Sequence, residues 1–222
     1  MSFSPKFLVL GAMAVSLLLA VILLAMPGAK SGGLANSPAA SSAPVGQTTQ
    51  VVQAASDPAG PAVGSATLDL GLLAKSHNLD EVDNVRWSLV RSKASAAGLY
   101  DPQTGVNWRV VRTGSTEGSF ALAAGSSWSF NDTFGGGAGY KIASGVLAGG
   151  QCALATVFRA AAMKAGLATQ ASPHRTPIPG FPQNETVNIW WGSYDLVIRN
   201  TSGRDLSMNW SLSPAGVTVS IK

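Results

Sequence analysis

The stretch that decides the reading of this chain is Gly149-Gly150-Gln151-Cys152-Ala153-Leu154-Ala155-Thr156-Val157-Phe158-Arg159-Ala160-Ala161-Ala162-Met163-Lys164-Ala165-Gly166. It contains the only cysteine of the 222 residues. An alanine-rich apolar run follows that cysteine, and alanine is the best helix former. Gly166 stands where a C-terminal cap belongs. The spacing therefore predicts a helix with Cys152 in its first turn. Unpaired amides and the helix dipole favour an anion there, so the thiol is expected to have a lowered pKa. The plainer expectation is a buried cysteine acting as a small hydrophobe.

Working outward, the C-terminal side begins with Ala171-Ser172-Pro173-His174-Arg175-Thr176-Pro177-Ile178-Pro179-Gly180-Phe181-Pro182. Proline at this density forbids helix and central strand, so the segment is an exposed loop. Strand-like runs follow at 186–191, 194–200, 206–212 and 217–221, separated by glycine, serine and proline turns. Leu206, Met208, Trp210 and Leu212 alternate with polar residues, the pattern of a half-buried antiparallel strand. This region reads as a meander of hairpins.

On the N-terminal side, Asn131 to Gly139 is glycine-rich but lacks the lysine and hydroxyl residue of a phosphate-binding loop. Residues 119–123 and 127–130 read as short extended pieces around Gly125. Residues 106–113 suit either a short helix or a strand. Residues 79–99 carry Val82, Val85, Leu89 and Val90 at helical spacing, with Asp80 and Glu81 first and Arg91 and Lys93 later. Gly98 and Pro102 would close that helix. Helices followed by antiparallel strands predict an α+β domain with helices packed on a C-terminal sheet.

The first 65 residues differ in kind. Residues 1–6 are a short N-terminus containing Lys6, expected on the cytoplasmic side. Residues 7–26 are an uncharged apolar run, long enough to span a bilayer and longer than the core of most cleaved signal peptides. They are read as an uncleaved signal anchor. Residues 27–65 are rich in Ala, Ser, Gly, Pro, Thr and Gln and contain no aromatic residue. Such a composition cannot offset its ordering entropy, and it predicts a flexible tether. Residues 66–222 are then an extracytoplasmic domain on a single-pass anchor in the cell membrane.

Composition narrows the function. The formal net charge is +4 with no run of Lys or Arg, which argues against nucleic acid as a partner. One cysteine and two histidines exclude multi-cysteine metal sites and a histidine-rich metal cage. No metal and no cofactor are expected.

The order Ser129-Phe130-Asn131, Gly139-Tyr140, Gly149-Gly150-Gln151-Cys152, Ala161 to Leu167, His174, Asn184-Glu185-Thr186-Val187, and Asp195-Leu196 with Asn200 resembles the VanW-like family of bacterial envelope proteins. The resemblance spans residues 107–210. It departs from the family pattern in a missing third glycine and at Ala153, Ala155 and Asn184. It implies an envelope location and an association with cell-wall biology, with peptidoglycan or a cell-wall precursor as partner.

Two functions follow. A cysteine at a helix start, then a histidine, then a carboxylate or amide, is also the order of papain- and transglutaminase-type enzymes. Cys152 would attack an amide carbonyl, His174 would handle the proton, and Asn184 or Asp195 would fix the imidazole. Asn131, Tyr140 and Gln151 are expected on the substrate side. This makes the chain a cysteine-dependent hydrolase or acyl transferase. The alternative is a non-catalytic wall-binding or scaffold module using aromatic side chains. Trp108, Trp128 and Trp210 are expected in the core. Trp190 and Trp191 are adjacent, so a strand would turn one of them outward.

Overall fold

The computed structural model describes residues 63–222. The apolar run at 7–26, and the tether as far as residue 62, lie outside the described residues. Among the described residues no helix is long and apolar enough to cross a membrane.

The chain opens with β1 (Gly64–Asp69), α1 (Leu70–Ser76) and α2 (Leu79–Arg91). A single 3-10 turn, Ala94–Gly98, precedes the two-residue strands β2 (Tyr100–Asp101) and β3 (Gly105–Val106). Then come α3 (Trp108–Thr113), β4 (Thr116–Leu122), β5 (Ser127–Ser129) and α4 (Phe130–Phe134). A small hairpin, β6 (Ile142–Ala143) and β7 (Val146–Leu147), leads into α5 (Gln151–Lys164). The chain finishes with β8 (Ala168–Ala171), β9 (Leu196–Arg199), β10 (Leu206–Leu212) and β11 (Gly216–Ile221).

The expected α+β class is present, with every strand pair antiparallel. The expected C-terminal meander is not. The strands divide into a four-stranded sheet in the order β1-β11-β10-β4 and a three-stranded sheet in the order β5-β9-β8. Of the strands after α5, β10 and β11 form a simple hairpin pair, while β8 and β9 pair across a long connection. Strands that precede α5 complete both sheets: β1 pairs with β11, β4 with β10 and β5 with β9.

Helix α5 packs against β1 and β11 of the first sheet, and against β8 and β9 of the second. It is buried on nearly every side. A helix apolar all round belongs inside a domain, and its alanines let neighbours approach closely. A Cβ on Gly64 would lie 2.3 Å from the Ala161 carbonyl oxygen. Gly166 closes the helix as read from sequence. It has φ +73°, its N–H bonds the Met163 carbonyl, and the Leu167 N–H bonds the Ala162 carbonyl. That pair of bonds is the Schellman arrangement. Beneath the first turns lies an aromatic cluster in which Trp128 stacks on Phe158 at 5.2 Å between centroids.

Helix α2 is shorter than its spacing suggested. It stops at Arg91, and the rest of the expected 79–99 helix is the 3-10 turn. The ambiguous 106–113 stretch is helical from Trp108 to Thr113. The 186–191 run holds only isolated bridges, Ser172 with Asn188 and Trp190 with Tyr194. β1 begins two residues before the expected domain start at 66.

Candidate functional site

Gly150 caps the front of α5 at φ +101°, a conformation L side chains rarely adopt. A Cβ there would come within 2.5 Å of the Glu81 carbonyl oxygen of α2, and one on Gly149 within 2.6 Å of the Ala143 carbonyl oxygen. The two glycines thus let α5 begin in contact with α2 and with the β6–β7 hairpin. Cys152 sits in the first turn, as expected.

Its environment is not that of an activated thiol. The Cys152 Sγ accepts the Ile189 N–H at 3.4 Å and lies 3.9 Å from both Asn188 Oδ1 and the Ile189 carbonyl oxygen. Burial pushes the thiol above its ordinary pKa, and the Glu81 carboxylate adds to the rise. The Ile189 N–H and the thiol's own amide pull the other way but do not prevail. Of the first-turn amides, that of Ala153 bonds the Gly150 carbonyl at 3.1 Å rather than standing free for an anion. The expectation of a lowered thiol pKa is therefore corrected: desolvation outweighs the helix start.

No hydrogen bond joins Cys152 to His174. The His174 Nδ1 lies 2.6 Å from the Thr176 carbonyl, within its own proline-rich loop. Its main-chain carbonyl also accepts a bond from Thr186 Oγ1 at 3.4 Å. Asn184 is exposed, and its carbonyl accepts from Arg159. Asp195 accepts Ser129 Oγ at 2.6 Å and the Asn131 N–H at 2.9 Å, so it fastens β9 to the front of α4. Asn131 completes that junction by donating to the Tyr194 carbonyl. The four residues expected to form a catalytic set are not brought together by hydrogen bonds.

Tyr140 and Gln151 are both buried. Gln151 lies on the wall of a cleft beside Cys152, whereas Tyr140 does not line it. The Tyr140 hydroxyl bonds the Phe134 carbonyl and Ser88 Oγ, each at 3.0 Å. Gln151 Nε2 reaches the same Ser88 Oγ at 2.8 Å. Burial raises the Tyr140 pKa, although Ser88 and the Arg91 guanidinium over the ring moderate it. These side chains join α2 to the start of α5. Thr156 acts similarly, taking the Val187 N–H at 3.0 Å, and Asn200 donates to the Leu122 carbonyl at 2.7 Å. Asn131, Tyr140, Gln151, Asp195 and Asn200 are thus fasteners between elements.

Four of the expected site residues, Gln151, Cys152, Trp190 and Trp191, do line one open space. A cleft of about 240 Å³ is bounded by the stretch 146–152 on one side and by Ile189, Trp190 and Trp191 on the other. No charged side chain lines it. Trp190 is 56% exposed. Trp191 is half-buried and packs on Tyr140 at 5.4 Å between centroids. Trp128 and Trp210 are core residues, as expected, whereas Trp108 is only half-buried beneath Lys141. The β6–β7 hairpin was missed from sequence. Its signal was Ser144-Gly145 between apolar pairs, and both residues have positive φ, as a tight two-residue hairpin turn requires. Among the described residues no cluster of three or more His, Cys, Asp or Glu could hold a metal.

No family model, curated protein or solved structure matches the chain.

Proposed function

We propose that this chain is a membrane-tethered module of the bacterial envelope, of the VanW-like kind, that binds a cell-wall ligand in the cleft beside Cys152 without chemistry at the thiol. The anchor at 7–26 and the linker after it place the folded domain outside the cytoplasm on a single span. The observation that carries the binding role is the cleft itself. It brings an exposed indole, a second half-buried indole and aliphatic walls together around a space with no charged lining. Indole faces stack on sugar rings, and such a wall suits a disaccharide-peptide unit of peptidoglycan or its precursor.

The catalytic reading, a cysteine-dependent hydrolase or acyl transferase on wall-peptide amides, keeps one observation in its favour: Cys152 lies on the cleft wall at a helix start. It lacks a bonded base, and burial pushes its thiol above the ordinary pKa. One experiment separates the two. Soluble disaccharide-peptide fragments are titrated against the full chain in detergent while tryptophan emission is followed. Binding should saturate, and Trp190→Ala should weaken it about tenfold, the loss of one good stacking contact. Iodoacetamide should label Cys152 at pH 7 more slowly than a free thiol, at a rate indifferent to His174→Ala. Fast labelling that the histidine change slows would restore the enzyme.

A further inference from the structure

The residues around the mouth of the cleft have a pattern of their own. Ile142 pairs with Leu147 across the β6–β7 hairpin, and Trp190 pairs with Tyr194 across the neighbouring bridge. Residues directly opposite each other on antiparallel segments project to the same side. All four are exposed, Ile142 at 71% and Leu147 at 58%. Leu147 and Trp190 also line the cleft, so the two pairs flank its opening. The rim is therefore two aliphatic side chains on one bank and two amphipathic rings on the other. This is the mixture that settles at a membrane–water interface, where tryptophan and tyrosine rings favour the headgroup level.

We infer that this rim seats in the interfacial layer of a lipid bilayer, with the cleft opening onto the headgroups. The inference rests on the membrane tether proposed above. Chain length supports the bilayer as occupant. The apolar run ends at Met26, and β1 starts at Gly64. The 37 residues 27–63 have a covalent reach of up to about 130 Å. Gly64 packs on Ala161 and Ala165, toward the C-terminal end of α5, whereas the cleft lies at its N-terminal end. Those ends are about 20 Å apart along the helix. The tether can therefore let the cleft end turn toward the membrane, and it keeps the lipid surface at millimolar effective concentration. A contact too weak to recruit a free protein suffices for a tethered one. A cleft facing the headgroups would meet lipid-carried wall precursor before polymerised wall.

The test uses the full chain reconstituted in vesicles of phosphatidylcholine and phosphatidylglycerol, with and without bromine on the acyl chains. All six tryptophans lie between residues 87 and 210, so emission reports on the folded unit alone. Brominated lipid should quench part of that emission. Trp190→Phe should remove most of the quenching, and the Ile142→Asp, Leu147→Asp double variant should reduce it at least twofold with the melting temperature kept. Quenching that is absent, or unchanged in Trp190→Phe, overturns the inference. So does a vesicle-bound dimer whose Trp190 is shielded by a second copy rather than by lipid. Flotation separates the layers of the argument. A chain that floats with the vesicles but is not quenched sinks only this inference, and a chain that does not float sinks the tether as well.

Discussion

Gly150 shows how a residue that looks chemical can be mechanical. Beside a lone cysteine, the pair Gly149-Gly150 reads as the front of a helix that favours an anion. In the fold, Gly150 holds φ +101° with the Glu81 carbonyl where its side chain would be. That oxygen belongs to the backbone of a buried helix and cannot swing aside. Gly150→Ala should therefore cost about 2–4 kcal/mol, combining the left-handed penalty with overpacking. Urea denaturation would measure it. A change under about 0.5 kcal/mol would mean that α5 and α2 are not locked together there. Cys152 carries the same lesson. The front of a helix lowers a thiol pKa only when water and free amides accompany it, and here apolar walls and the Gly150 carbonyl intervene. Sequence can place a thiol at a helix start, but it cannot say what covers it.

At the level of elements, α2 is the informative case. Val82, Val85 and Leu89 at helical spacing made it legible, and all three are buried. Its polar face was not legible, because a polar stripe normally meets water. Glu81, Asp83, Asn84, Arg86 and Ser88 are buried as well. Their partners lie in segments distant in sequence: Arg112 of α3 and Lys141 for Asp83, Tyr140 for Ser88, Ser144 of the β6–β7 turn for Glu81, and the Pro214 carbonyl of the β10–β11 turn for Arg86. Asn84 accepts the Lys141 N–H at 2.8 Å and donates to the Gly149 carbonyl at 3.0 Å. Asp83 is bonded by Arg112 Nε at 2.8 Å and Lys141 Nζ at 2.6 Å. Burial alone would raise the Asp83 pKa, but the Arg112 and Lys141 bonds outweigh it and hold the carboxyl below its ordinary range. A depressed carboxyl pKa stabilises the fold above the unfolded value of about 3.9 and loses that contribution as pH falls through the folded value. Asp83→Asn should cost about 1–3 kcal/mol at pH 7, and the gap from the parent should narrow below about pH 4. Denaturation midpoints at pH 7 and pH 3 test both the size and the sign. The small strands were illegible for another reason. Two residues, as in β6 or β7, carry no period, and only a turn signal could have flagged them. β8 followed a helix cap directly, with no polar break to announce it.

For the molecule as a whole, the start of the folded domain is the point on which sequence and structure differ by a few residues with a large consequence. Gly64-Ser65-Ala66-Thr67-Leu68-Asp69 continues the small-residue composition of the linker, so composition alone placed its first residues there. Pairing with β11 decides otherwise. β1 matches β11 from Gly64 opposite Ile221 to Asp69 opposite Gly216, and the Val63 N–H still bonds the Ile221 carbonyl. Ala66 and Leu68 face the core, and Gly64 lies against α5. The first strand of the domain thus closes the sheet on its last strand. Loss of the strand would expose one edge of β11 and the α5 face that it covers. Leu68 alone is worth about 2–5 kcal/mol by the usual cost of emptying a buried leucine site. A domain's whole margin is about 5–15 kcal/mol. A chain beginning at Val63 should therefore melt cooperatively, and one beginning at Leu70 should show no cooperative transition by circular dichroism. If the Leu70 chain melts within a few degrees of the longer one, β1 is an ornament on the sheet and the tether extends to Asp69. If both fail, residues before Val63 contribute to the fold, and the span available to the tether shortens accordingly.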